Sequence, residues 1–191
     1  MKPLSNPMNL GLFAAFSALM VATRFHHFGD ALHLPDASMA LFFLGGLYLR
    51  RHWQFVAMLA VAVAVDWAAV SLAGVSDFCI TPAYAFLLPA YAVLWYGGRL
   101  YAPRLETGNS ALWGAAAVGL VAACLSFMVS NGAFYWLGGR YAEPHFAEYV
   151  ARLWQWGPLF VRTTMMYVVV ALVVHAGLAR FHHGQRASGT V

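Results

Sequence analysis

The sequence predicts an all-α integral membrane protein with six transmembrane helices, residues 1–191 forming a single domain, and three observations predict it. Hydrophobic residues make up 62% of the 191 and charged residues only 9%. A soluble domain carries about 25% charged residues, so this chain lacks the polar surface to face water. Apolar runs recur along the whole length, and no long linker, low-complexity tract or obvious repeat separates them into domains.

The runs are Met8 to Thr23, Ala37 to Leu49, Phe55 to Leu72, Ala83 to Tyr96, Ala111 to Ser130 and Gly157 to Ala179. A helix needs roughly 20 residues to cross a hydrocarbon core about 30 Å thick. The second and fourth runs hold about 13 or 14 strictly apolar residues and must borrow flanking aromatic or small residues to span. Only Lys2 precedes the first run and no small-residue cleavage site leads into a polar mature domain, so that run is expected to be a permanent helix.

Orientation follows from Lys and Arg, which short cytoplasmic loops collect. With both ends inside, that side holds Lys2, Arg50, Arg51, Arg99, Arg104, Arg180 and Arg186, and the outer side holds Arg24, Arg140 and Arg152. Arg162 falls within the last run and is not counted. The bias predicts cytoplasmic N- and C-termini, and it accounts for the net charge of +4 without a nucleic-acid partner.

This topology gathers the unusual residues on the outer face: the first loop, "TRFHHFGDALHLPDA", the connection holding Cys79, and the aromatic segment 131–156. That last segment reads either as an interfacial aromatic belt or as a lid over a binding site. Two charges lie inside apolar runs, Asp66 and Arg162, both in the outer half. A charge in hydrocarbon costs at least about 2.5 kcal/mol, so such residues face the bundle interior or a wet cavity and pair. One reading is a structural Asp66–Arg162 pair. The other, favoured because a thiol and histidines gather at the same depth, is an outward-open cavity with His26 or His27 on its rim.

Cys79 stands in "SDFCITPAY". Thr81 and Pro82 suggest an N-cap and a first helical residue, which places the thiol just ahead of a helix N-terminus. The helix dipole favours the thiolate and Asp77 opposes it. Cys124 lies in "VAACLSFMV", where cysteine behaves as a small hydrophobe, and a disulfide from the outer loop to that depth is disfavoured by geometry. A free thiol facing an oxidising compartment suggests that its reactivity is used. With no CxxC, HExxH or finger-type Cys/His spacing, a protein-built zinc site is poorly supported. A lone thiolate suits one axial position on a metal already held by a macrocycle, and haem and corrin both fit.

On these residues the chain resembles the BtuM family, the solitary S-components of energy-coupling factor (ECF) transporters that carry cobalamin. The resemblance rests on six helices, a short outer connection bearing one cysteine and small-residue spacing in the first helix. It implies an S-component-like bundle that takes up cobalamin, with Cys79 as cobalt ligand and His27, Asp66 and Tyr84 in the substrate pocket. A thiolate bound to cobalt would weaken the bond on the opposite face, so loss of an upper cyano ligand dependent on Cys79 is a further expectation. Ala14, Ala18 and Ala22, at four-residue spacing in "FAAFSALMVA", would pack against an ECF transmembrane subunit; small-residue spacing by itself equally suits an internal helix contact. The chain carries no GxxxxGK[ST] and binds no nucleotide by that route, so active transport needs a partner ATPase module or another energy source.

Two rivals stay open. A haem-handling membrane protein would use His27 or His175 with Cys79 as axial ligands, although His175 lies near the cytoplasmic end of its run. A structural subunit would use its polar residues only to hold helices together.

Overall fold

The computed structural model describes residues 6–24, 34–107 and 110–188. Among these the chain is helical, with α1 (Asn6–Arg24), α2 (Ser38–Tyr48), α3 (His52–Ala73), α4 (Leu87–Tyr101), α5 (Ser110–Leu137) and α6 (Phe146–Ser188). Short 3-10 turns at Asp77–Cys79 and Pro82–Phe86 lie between α3 and α4, and another at Ala102–Thr107 follows α4.

Contacts between helix ends give the topology. At one end Asn6 and Asn9 of α1 accept hydrogen bonds from Arg51 and Gln54 at the start of α3; at the other, Arg24 of α1 reaches Asp66 of α3. α1 and α3 therefore run parallel, and α2 returns between them. His52 lies 2.9 Å from the Tyr96 hydroxyl, and Tyr84, ahead of α4, bonds Asp66, so α4 runs back against α3. α5 and α6 continue the alternation, since Tyr135 and Glu148 meet beyond the Asp66 end. α1 begins and α6 ends at the Arg50 end, which agrees with termini on one side.

Six full-length spans are not present among the described residues. Four helices among the described residues are long and apolar enough to cross a bilayer: α1, α3, α5 and the Phe146–Phe181 part of α6. α2 has 11 residues and α4 has 15, about 16 Å and 22 Å of rise. These are the second and fourth apolar runs, already the shortest in sequence, and irregular chain at 34–37 and the 3-10 turn Pro82–Phe86 complete their paths.

The short α2 is the centre of the core. Ala40 through Leu47 are all buried, and Phe42 stacks on Tyr91 of α4 with ring centroids 4.1 Å apart. Glycines let the two backbones touch. A Cβ on Gly46 would lie 1.8 Å from the Trp95 carbonyl oxygen and one on Gly98 would lie 2.2 Å from that of Phe43, so no larger residue fits either position. Around this pair the long helices turn apolar surface outward, as at Val63, Trp67 and Leu72 of α3, Leu120 and Val121 of α5, and Val173 and Val174 of α6. Such surface suits lipid, and it makes a multi-pass membrane protein of the chain.

The segment 131–156 is the end of α5, the start of α6 and the connection between them. α5 runs to Leu137 and α6 starts at Phe146, leaving a short connection. Its aromatic residues pack on one another, with Tyr135 4.7 Å from Tyr141 and 5.8 Å from Tyr149 by ring centroid, so the two helices extend past the apolar stretch as one hairpin.

Candidate functional site

A cavity of about 610 Å³ opens at the Asp66 end of the bundle. All the long helices except α1 give it walls, and α1 contributes its last residue, Arg24. The volume is within the range of small-molecule sites, about 300–1,000 Å³, and the lining has their usual character, mostly apolar with a few converging polar groups.

Arg24 organises the polar side. As the C-terminal residue of α1 it sits where the helix dipole favours a cation, and its side chain is 10% exposed. Its Nε and Nη2 donate to the two Asp66 carboxylate oxygens, each at 2.6 Å. Its Nη1 donates to Tyr91 OH at 2.8 Å, to Ser38 Oγ at 3.0 Å and to Asp36 at 3.3 Å. Such a fork-to-fork pair is the geometry in which a guanidinium and a carboxylate bind most strongly. Tyr84 adds a third contact to Asp66, its hydroxyl donating to Oδ2 at 2.6 Å.

Local structure holds these groups in place. Asp36 accepts from the backbone N–H and the hydroxyl of Ser38, at 2.8 and 2.6 Å, in the side-chain turn that starts α2. Thr23 donates to the Leu19 carbonyl and accepts from the Ala37 N–H at 3.1 Å, tying the end of α1 to the start of α2. The segment 36–38, α3 and α4 thus meet at the guanidinium that ends α1.

The opposite wall is aromatic. Phe127 and Phe134 of α5 and Trp156 and Phe160 of α6 line it, with the Phe127 and Phe160 ring centroids 5.4 Å apart. Arg152 joins them with its Nε buried and unbonded, its guanidinium 4.8 Å from the centre of the Tyr141 ring. Asn131 Oδ1, also on this wall, is buried and unbonded.

The residues singled out from sequence fare differently. Asp66 and Tyr84 are brought together on the cavity. Cys79 ends the Asp77–Cys79 turn, between Phe78 and Ile80, both of which line the cavity; its own side chain lies outside what the structure describes. His26 and His27 lie outside the described residues. Thr81 makes no side-chain cap and its hydroxyl is unbonded, because Pro82–Phe86 begins as a 3-10 turn and α4 starts only at Leu87. Cys124 is exposed on α5, away from the cavity.

The Asp66–Arg162 pair is not formed. α6 presents Gly157, Thr164, Val168 and Leu172 inward, and Arg162, about 200° from Thr164 around the helix, is exposed on the other side. The partner of Asp66 is Arg24. The sequence signal for it was present, an arginine ending an apolar helix on the face where Asp66 also lies, but it was counted only as a loop charge. Arg152 was missed in the same way.

Ala14, Ala18 and Ala22 are all exposed, as is Gly11 one turn earlier. Their stripe is therefore not an internal helix contact. His175 is at the far end of the bundle, its ring 5.7 Å from that of Tyr48. Among the described residues no three of His, Cys, Asp or Glu gather to hold a metal ion. Compared with known proteins, the chain matches no family model and no curated sequence.

Proposed function

We propose that the chain is a cobalamin carrier of the bacterial inner membrane, resembling the BtuM S-components, with the Asp66-end cavity open to the outside and both termini cytoplasmic. The observation that supports this most is the meeting of Asp66, Tyr84 and the backbone turn of Cys79 around one cavity, three positions that the sequence resemblance selected independently of the fold. A corrinoid exceeds a drug-sized ligand, so the cavity takes one face of it and the remainder stands at the mouth.

In this reading the cobalt arrives already held by its corrin ring and the protein adds one axial ligand. The Cys79 thiolate forms a sulfur–cobalt bond as the bond to the tethered benzimidazole nitrogen breaks. Donation from sulfur weakens the bond on the opposite face, and an upper cyanide leaves with its electron pair and takes up a proton, the cobalt oxidation state being unchanged. Asp66 and Tyr84, held by Arg24, set the polar side of the site; His27 belongs to the first outer loop.

Ala14, Ala18 and Ala22, exposed with Gly11, supply a face on which a helix of an ECF transmembrane subunit can approach closely. That module would provide the ATPase. The haem alternative is less well served, because His175 lies at the end of the bundle away from the cavity.

The test is the visible spectrum of the purified protein with cyanocobalamin, for wild type and Cys79→Ser. A spectrum displaced from that of the free vitamin, and returned to it by the substitution, supports the thiolate ligand. Unshifted spectra for both would remove it, and a shifted Soret band with added haem would favour the rival.

A further inference from the structure

The turn that bears Cys79 is weakly held by its own hydrogen bonds. Those within it are local: Val75 N–H to the Ala69 carbonyl at 3.1 Å, Phe78 N–H to Ser76 Oγ at 3.2 Å and Ile80 N–H to the Asp77 carbonyl at 2.8 Å. Among the described residues, its one hydrogen bond to a distant element comes from Arg140, whose Nε donates to the Phe78 carbonyl at 3.1 Å. That carbonyl belongs to the peptide bond joining Phe78 to Cys79.

The same arginine makes a second contact. Its guanidinium lies 5.1 Å from the centre of the Phe78 ring, and that ring packs against Phe134 of α5 with centroids 5.6 Å apart. Arg140 is itself placed by the end of α5. Gly139 takes a φ of +66°, a left-handed conformation suited to glycine, and the Gly138 N–H returns to the Phe134 carbonyl at 3.0 Å. Phe134 thus anchors both sides of the contact: its backbone shapes the turn that projects Arg140, and its ring receives Phe78.

We propose that Arg140 is a positioning residue for the thiol. It fixes the Asp77–Cys79 turn at the cavity rim by gripping the carbonyl and the ring of the preceding residue. The reason to place Cys79 there rests on the cobalamin reading, but the grip on the turn does not. Lysine at 140 keeps a donor and a cation for the same two acceptors, whereas alanine keeps neither.

The experiment measures the rate at which Cys79 reacts with a charged, membrane-impermeant maleimide in full-length protein carrying Cys124→Ala, so that one thiol reports. Arg140 is exposed, and Arg140→Ala is expected to leave the unfolding midpoint unchanged while raising the alkylation rate about tenfold, the scale set by losing a hydrogen bond and a cation–π contact. Arg140→Lys restores a rate close to wild type, and Phe78→Leu, which removes the ring and leaves the carbonyl, falls between. Equal rates in wild type and Arg140→Ala overturn the proposal. If the alkylation effect is present while cyanocobalamin shows no Cys79-dependent spectral change, the positioning role stands and the cobalt-ligand role fails.

Discussion

Arg24 and Asp66, 42 residues apart in sequence, face each other through two parallel hydrogen bonds of 2.6 Å at the end of the bundle where the cavity opens. The pair joins α1 to α3 and, through Tyr84, Tyr91, Asp36 and Ser38, reaches the start of α2 and both sides of the α4 entry. Both its charges lie largely out of water. Removing Arg24 leaves the Asp66 carboxylate only the Tyr84 hydroxyl, and removing Asp66 leaves Arg24 only the more exposed and more distant Asp36 carboxylate.

Asp66→Ala is therefore expected to cost about 3–5 kcal/mol, and Arg24→Ala a similar amount, because breaking a buried pair strands a charge. Replacing both with apolar residues of similar volume, Arg24→Met with Asp66→Leu, should recover most of the loss. Unfolding in detergent of wild type, Arg24→Met, Asp66→Leu and the double variant forms a double-mutant cycle, and additive losses would show that the two residues are not coupled.

Tyr84→Phe removes one donor from Asp66 while Arg24 keeps both its bonds. The expected loss is about 1.5–3 kcal/mol, the range for a hydrogen bond to a charged group, and so smaller than that of Asp66→Ala. A loss equal to that of Asp66→Ala would mean that Tyr84, rather than Arg24, holds the carboxylate in place.

Gly98→Ala should prevent correct packing of α2 against α4, since the added carbon would overlap the Phe43 carbonyl. Overpacking costs of about 1–3 kcal/mol are usual, and backbone overlap places this site at the upper end or beyond. Gly177→Ala, where the new carbon meets nothing within 4 Å, is the control. Size-exclusion profiles of the two variants should differ, with aggregation confined to the first.

Ala18→Leu enlarges an exposed position on α1. It should leave the unfolding midpoint and the cobalamin spectrum unchanged and weaken co-purification with an ECF module at least about tenfold by blocking close helix approach. Loss of folding would instead place the stripe in an internal contact.

Much of the scaffold could be read from hydropathy, and the part that could not has a geometric cause. Apolar length located α1 through α4 to within a few residues and marked α2 and α4 as short. It could not locate the ends of α5 and α6, because a helix continues beyond the membrane for as long as its own packing supports it, here the Tyr135, Tyr141 and Tyr149 cluster. Depth along a helix was likewise legible for Asp66 and Arg162, but rotation about the axis was not. Asp66 and Arg162 share a level and face different surroundings, which only the inward stripe of α6 reveals. Asp66 was found as a charge inside an apolar run and Tyr84 by resemblance; Arg24 required the fold.

The central position of α2 bears on how the protein is made. A segment of 11 residues with Ala40 through Leu47 enclosed by its neighbours offers the lipid almost no surface of its own. It is shorter than the stretch that partitions independently into a bilayer, and its closest partner, α4, emerges from the ribosome some 40 residues later. Insertion of α2 is thus a delayed and cooperative event. The nascent chain must keep an apolar stretch shielded, by chaperone or translocon, until Gly98 arrives to receive it.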